Sequence, residues 1–102
     1  MLKDHLPLGF QEDLLDTCNI MTYELGAIVR SLIYADRHSG GPAEDKDKER
    51  AYLGSARIDL ADLILQCRLI AEQAGWDYAE LIDDGEERFL ERMKEWKDGK
   101  LK

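Results

Sequence analysis

Apolar residues return every three or four positions along most of the chain, which is the spacing of helices with one covered face. The first such stretch runs from about Gln11 to Tyr34. Phe10, Leu14, Met21, Leu25, Ile28 and Leu32 share its face, with Cys18 and Val29 at the margin. Asp36 to Asp45 holds two Gly and a Pro and nothing apolar enough to pack, so it reads as a loop. A second helix is predicted from Asp45 or Lys46 to Gly75, which stands where a helix C-terminal stop belongs. Its inner face reads Leu53, Ala56, Leu60, Leu63, Ile64, Cys67, Ile70 and Ala74. Ile58, Leu65 and Leu69 form a second apolar strip about 180° away, by ~100° of rotation per residue. A helix apolar on two sides is a buried central one, and a second subunit is the natural cover.

Two acidic capping signatures follow, Asp77-Tyr78-Ala79-Glu80 and Asp84-Gly85-Glu86-Glu87. The second predicts a last helix over Gly85 to Trp96, apolar at Phe89, Leu90, Met93 and Trp96. Residues 1–9 read as an N-terminal arm and 97–102 as a fraying tail. The whole is a single all-α domain: an antiparallel bundle of two long helices and a shorter C-terminal one. Oligomerisation, as a homodimer or homotetramer, is expected to complete it.

Composition narrows the functions open to such a bundle. The 102 residues are 44% hydrophobic and 35% charged, too apolar for disorder and without an apolar run of membrane-spanning length. A soluble, cytoplasmic protein is expected. The net charge of −8 argues against nucleic-acid binding, which needs clustered Lys and Arg. Two Cys (Cys18, Cys67) and two His (His5, His38) do not make a zinc finger or a disulfide scaffold. Both Cys lie among apolar residues at helical spacing and read as reduced core residues.

Glu24, Asp59 and Asp62 fall well inside the two predicted long helices with no basic residue one helical turn away. Ile20, Met21, Ala27 and Ile28 are the turn neighbours of Glu24. Asp59 and Asp62 neighbour each other, with Ile58, Leu63 and Leu65 around them. Like charges one turn apart cost about 0.2–0.5 kcal/mol on an exposed helix, and more when sheltered. Either something positive belongs there, a hard divalent ion on carboxylate oxygens or an Arg from another helix or subunit, or the aspartate pair simply stands exposed to water.

At these residues the chain resembles the MazG-type all-α nucleoside triphosphate pyrophosphatases, which carry E-E-x-x-E on one long helix and E-x-x-D on the next. Asp59-Leu60-Ala61-Asp62 stands where the second motif would be, and Tyr23-Glu24-Leu25-Gly26-Ala27 where the first would be. Gly75-Trp76-Asp77 and Gly85-Glu86-Glu87-Arg88-Phe89 resemble the family's following turn and its basic-aromatic ending. Tyr23 and Ala27 replace two of the three first-motif glutamates, and Asp59 replaces a longer Glu. The resemblance implies hydrolysis of a nucleoside triphosphate to monophosphate and pyrophosphate. Glu24, Asp59 and Asp62 would be catalytic and metal-holding, with Mg²⁺ the ion and Mn²⁺ a substitute. Arg88 and Arg92 (and, less specifically, Arg30 and Arg57) would contact phosphates, and Trp76, Tyr23 or Tyr52 would stack on the base. The gaps at Tyr23 and Ala27 suit a second reading, a non-catalytic oligomer of the same fold that binds a nucleotide or a protein.

Overall fold

The computed structural model describes residues 1–6 and 13–99. Among these there are three α-helices, α1 (Leu14–Arg37), α2 (Lys46–Ala74) and α3 (Tyr78–Lys97), two short 3-10 turns (Leu2–His5 and Gly41–Ala43), and no strand. Phe10 and the expected helix start at Gln11 lie outside the described residues.

Each helix begins on an aspartate whose carboxylate accepts an otherwise unused N–H of the first turn. Asp13 accepts from Asp16 N at 2.9 Å, Asp45 from Lys48 N at 3.1 Å, and Asp77 from Glu80 N at 3.1 Å. At the other end of α2, Gly75 takes the left-handed conformation with φ 78°, and its N–H donates to Ala71 O and Glu72 O. The second capping signature is not used. Asp84 and Gly85 lie inside α3, which starts at Tyr78 instead of Gly85. Asp77 caps first, and a mid-helix Gly costs only about 1 kcal/mol relative to Ala.

The α1 and α2 helices form an antiparallel hairpin that holds most of the tertiary contact. Its seam follows a spacing of three and four. Thr17, Met21, Glu24, Ile28, Ser31 and Ala35 are buried or half-buried on α1. On α2, Ala56, Asp59, Leu63, Gln66, Ile70 and Gln73 are buried or half-buried in the same rhythm. A seven-residue repeat of this kind is coiled-coil packing. One row of it is polar (Thr17, Glu24, Ser31 against Asp59, Gln66, Gln73), and the other is apolar (Met21, Ile28, Ala35 against Ala56, Leu63, Ile70). Thr17 Oγ1 donates to Gln73 Oε1 at 2.8 Å across the polar row.

This seam corrects the expected inner faces. Leu14, Leu25, Leu32, Leu53, Leu60 and Ile64 are exposed, because the helices meet about 50° round from the centre of the apolar arc. Cys18 is exposed and Cys67 half-buried, so neither is a sealed core residue. Of the second strip, Leu69 is only 4% exposed within the single chain, whereas Ile58 is 63% exposed.

The expected loop is shorter and better packed than its composition suggests. Helix α1 continues to Arg37, and the His38 ring stacks on Tyr52 with centroids 5.9 Å apart. Tyr52 meets Tyr34 at 5.2 Å, and the Arg37 guanidinium lies over Tyr34 at 5.2 Å. His38 Nδ1 donates to Ala43 O at 2.9 Å, and Asp45 N to His38 O at 3.0 Å, closing the hairpin. The start of the arm is also ordered. Leu2 N and Lys3 N donate to the two Glu72 carboxylate oxygens at 2.8 and 3.0 Å, tying the first turn to α2.

The third helix does not complete a bundle. It makes sparse contact with α2, and Phe89 and Trp96 remain 60% and 61% exposed. The Cα radius of gyration is 17.8 Å, against about 13 Å for a compact domain of this length.

Gly75→Ala tests the cap. A Cβ there meets nothing within 4 Å, so the cost is conformational alone. Urea denaturation is expected to show a loss of about 1–2 kcal/mol, the ordinary penalty of a left-handed non-Gly residue.

Candidate functional site

The polar row of the seam sets up the site. Glu24 on α1 and Asp59 on α2 are both half-buried seam residues, and Asp62 stands exposed one turn beyond Asp59. One carboxylate oxygen from each lies within 4.8 Å of the other two. No fourth Asp, Glu, His or Cys joins them among the described residues. Tyr23 is 74% exposed, and half-buried Ala27 offers no oxygen.

Three like charges this close oppose folding. A pair of unit charges 4 Å apart repels by about 1 kcal/mol in bulk water and about 4 kcal/mol at an effective dielectric of 20. Among the described residues no Lys or Arg forms an ion pair with any of the three. Partial burial, then the charges of Asp62 and Asp59, pushes the Glu24 pKa above the usual glutamate range. The site is thus short of positive charge, and a cation would relieve it.

The donor set suits a hard divalent ion. Octahedral Mg²⁺ with Mg–O of about 2.1 Å places its oxygens about 3.0 or 4.2 Å apart, and the three carboxylate oxygens, within 4.8 Å of one another, are spaced on that scale. The shorter reach of Asp59 does not keep it out of the cluster.

The other residues singled out in the sequence are not gathered here. Arg88 and Arg92 face solvent on α3 and form no ion pair among the described residues. Tyr52 is held at the closed end of the hairpin, seven residues or about 10 Å along α2 from Asp59. Trp76 lines a hollow at the α2–α3 junction with Arg68, Glu72 and Tyr78.

Glu72 was missed in the sequence. Partial burial pushes its carboxyl up, but the Leu2 and Lys3 N–H groups, the N-terminal ammonium and Arg68 outweigh it and hold its pKa below the usual range. Its contribution is present above the ordinary glutamate pKa and is lost as pH falls through the lowered value. Arg68, one turn before it, was the only available signal.

No family model matches the chain, and no curated protein or solved structure matches it either. Among the described residues no helix is long and apolar enough to cross a membrane.

Glu24→Gln reports on the repulsion. The raised pKa means the protonated form suits the fold, so stability is fullest below the ordinary glutamate pKa and falls as pH rises through the raised value. Without added metal at neutral pH, Glu24→Gln is expected to gain about 1 kcal/mol, or about 4–8 °C in Tm. The gain should vanish in acid, where Glu24 itself is neutral. Melting curves of both proteins across pH check this, and a variant less stable at neutral pH contradicts it.

Proposed function

We propose that the chain is a Mg²⁺-dependent nucleoside triphosphate pyrophosphohydrolase of MazG type, working as a homodimer or homotetramer. The convergence of Glu24, Asp59 and Asp62 from two helices, with no Lys or Arg among the described residues paired to them, carries this reading. The resemblance of their two motifs to that family supplies the substrate class.

In this proposal the three carboxylates hold the ion, with Mn²⁺ a competent substitute. When bound, the ion polarises phosphoryl oxygens and acidifies water, which is the chemistry that anhydride hydrolysis requires. Water adds across a phosphoric anhydride of the triphosphate, one P–O bond forms and one breaks, and monophosphate and pyrophosphate leave. Until the ion binds, partial burial and the charges of Asp62 and Asp59 raise the Glu24 pKa, so ion and proton compete there. Arg88 and Arg92 remain the proposed phosphate contacts, although α3 stands largely clear of the hairpin.

Ala27 and the outward-facing Tyr23 favour a second reading. A site with three carboxylates and no fourth Asp, Glu, His or Cys among the described residues suits an oligomer of the same fold that binds a nucleotide or a protein partner without turnover.

Incubation with each ribo- and deoxynucleoside triphosphate, with and without Mg²⁺, separates the two. Hydrolysis is expected to release monophosphate and pyrophosphate only with the ion, and to fall at least 100-fold in Asp62→Ala. Mg²⁺ at ten times its dissociation constant should stabilise the native protein by about 1.4 kcal/mol, and leave Glu24→Gln unchanged. Turnover with Mg²⁺ stabilisation selects the hydrolase; no turnover together with no Mg²⁺ stabilisation selects the non-catalytic reading.

A further inference from the structure

The corner between α2 and α3 is tied from outside both helices. Glu72 lies in the last turn of α2, and its carbonyl accepts the Gly75 N–H at 3.2 Å in the cap that ends the helix. Its carboxylate holds the start of the chain. One oxygen accepts the Leu2 N–H at 2.8 Å and the other accepts the Lys3 N–H at 3.0 Å. Two donors on two oxygens fix the first turn (Leu2–His5) in orientation as well as position, and bonds to an ionised acceptor are stronger than neutral ones. Met1 thereby becomes a wall of the hollow of about 550 Å³ at this corner, beside Arg68 and Glu72 of α2, Trp76, and Tyr78 of α3.

Little else braces this corner among the described residues. Gly75, Trp76 and Asp77 alone separate the two helices, and short element-terminal links of this kind are where hinge motion concentrates. Contact between α2 and α3 is sparser than contact between α2 and the first turn. Trp76, the largest side chain of the link, is 58% exposed.

We infer that the first turn is a strap, latched on Glu72, that walls the α2–α3 hollow and shields Trp76; unlatched, it leaves the hollow open. The latch needs the ionised carboxylate, since protonation turns one acceptor oxygen into an O–H donor. Partial burial pushes the Glu72 pKa up, but the two N–H groups, the N-terminal ammonium and Arg68 outweigh it. The latch is therefore closed at neutral pH and opens as pH falls through the lowered value. Lys3, Asp4 and His5 of the turn and Asp77 and Tyr78 of the corner are the other titratable groups here. Asp4 pairs with the N-terminal ammonium at 3.1 Å and Asp77 caps α3 at Glu80 N, so acid weakens those ties too. The strap lies ten residues, about 15 Å, along α2 from Asp62, and it stands apart from whether the acidic trio turns over substrate.

Amide exchange of the full chain, followed by NMR above the ordinary glutamate pKa, tests the latch. The Leu2 and Lys3 N–H groups are expected to exchange at least tenfold more slowly in the native protein than in Glu72→Ala. Equal rates would overturn the inference. Acrylamide quenching in a Trp96→Phe background reads the hollow through Trp76 alone. It should rise at least twofold in Glu72→Ala, and in the otherwise native chain as the pH drops; a Trp76 equally quenched with and without the latch overturns the strap. Glu72→Gln should show the raised quenching at neutral pH and no acid step. A step that persists in full there belongs to Asp4 or Asp77 and also overturns it. If the Glu72 variants do not fold, the native amides still decide. The Leu2 and Lys3 shifts should titrate together with a midpoint below the ordinary glutamate pKa, and an ordinary midpoint or no titration counts against the latch.

Discussion

The division of the α1–α2 seam into a polar row and an apolar row governs the rest of the molecule. Had both rows been apolar, the helices would have met at the centre of their hydrophobic arcs and hidden the leucines. Instead the contact line runs along the edge of each arc. Thr17 and Gln73 satisfy each other there, while Glu24 and Asp59 are drawn half out of water toward each other. Half-burial suits these carboxylates. It costs far less than full burial, yet it keeps the helices close enough for charges to act across the seam.

That arrangement makes the hairpin's stability conditional. The acidic trio opposes closure, and the apolar row, the stack of Tyr34, Tyr52 and His38 at the closed end, and the Glu72 tie to the first turn work against it. Cation binding would turn the opposing contribution into a favourable one, since ligands already gathered need little reorganisation. The raised Glu24 pKa is the same tension expressed in protons. An ion held there would couple its occupancy to rigidity at one point of the fold.

The displaced seam also separates two tasks by side. Carboxylates collect behind it and exposed aliphatic side chains collect in front, so a partner on one side need not obstruct a ligand on the other. Helix α3 belongs to neither arrangement in the single chain. Its stripe through Ile82, Phe89 and Trp96 is as uncovered as the hairpin face. An 11.7 kDa chain has few ways to bury so much apolar surface alone.

Helix starts and stops were largely legible in the sequence, because capping is local chemistry: Asp45, Gly75 and Asp77 act on backbone groups within a turn of themselves. The acidic trio was less sharply legible, since other carboxylates, Asp16 and Glu80 among them, also lack a basic residue one turn away. The Asp84 signature misled because the same chemistry is indifferent to whether a helix has already begun. Which angle each helix turns to its partner was decided only in three dimensions. An apolar arc more than 100° wide admits many contact lines, and the one adopted had to pair polar residues across the seam as well as cover apolar ones. So Leu25 and Leu60 ended outside, Glu24 and Asp59 ended in the seam, and Cys18 came to the surface. Sequence alone determined that there are three helices and where α2 starts and stops; tertiary packing decided which faces meet water, because that choice depends on both helices at once.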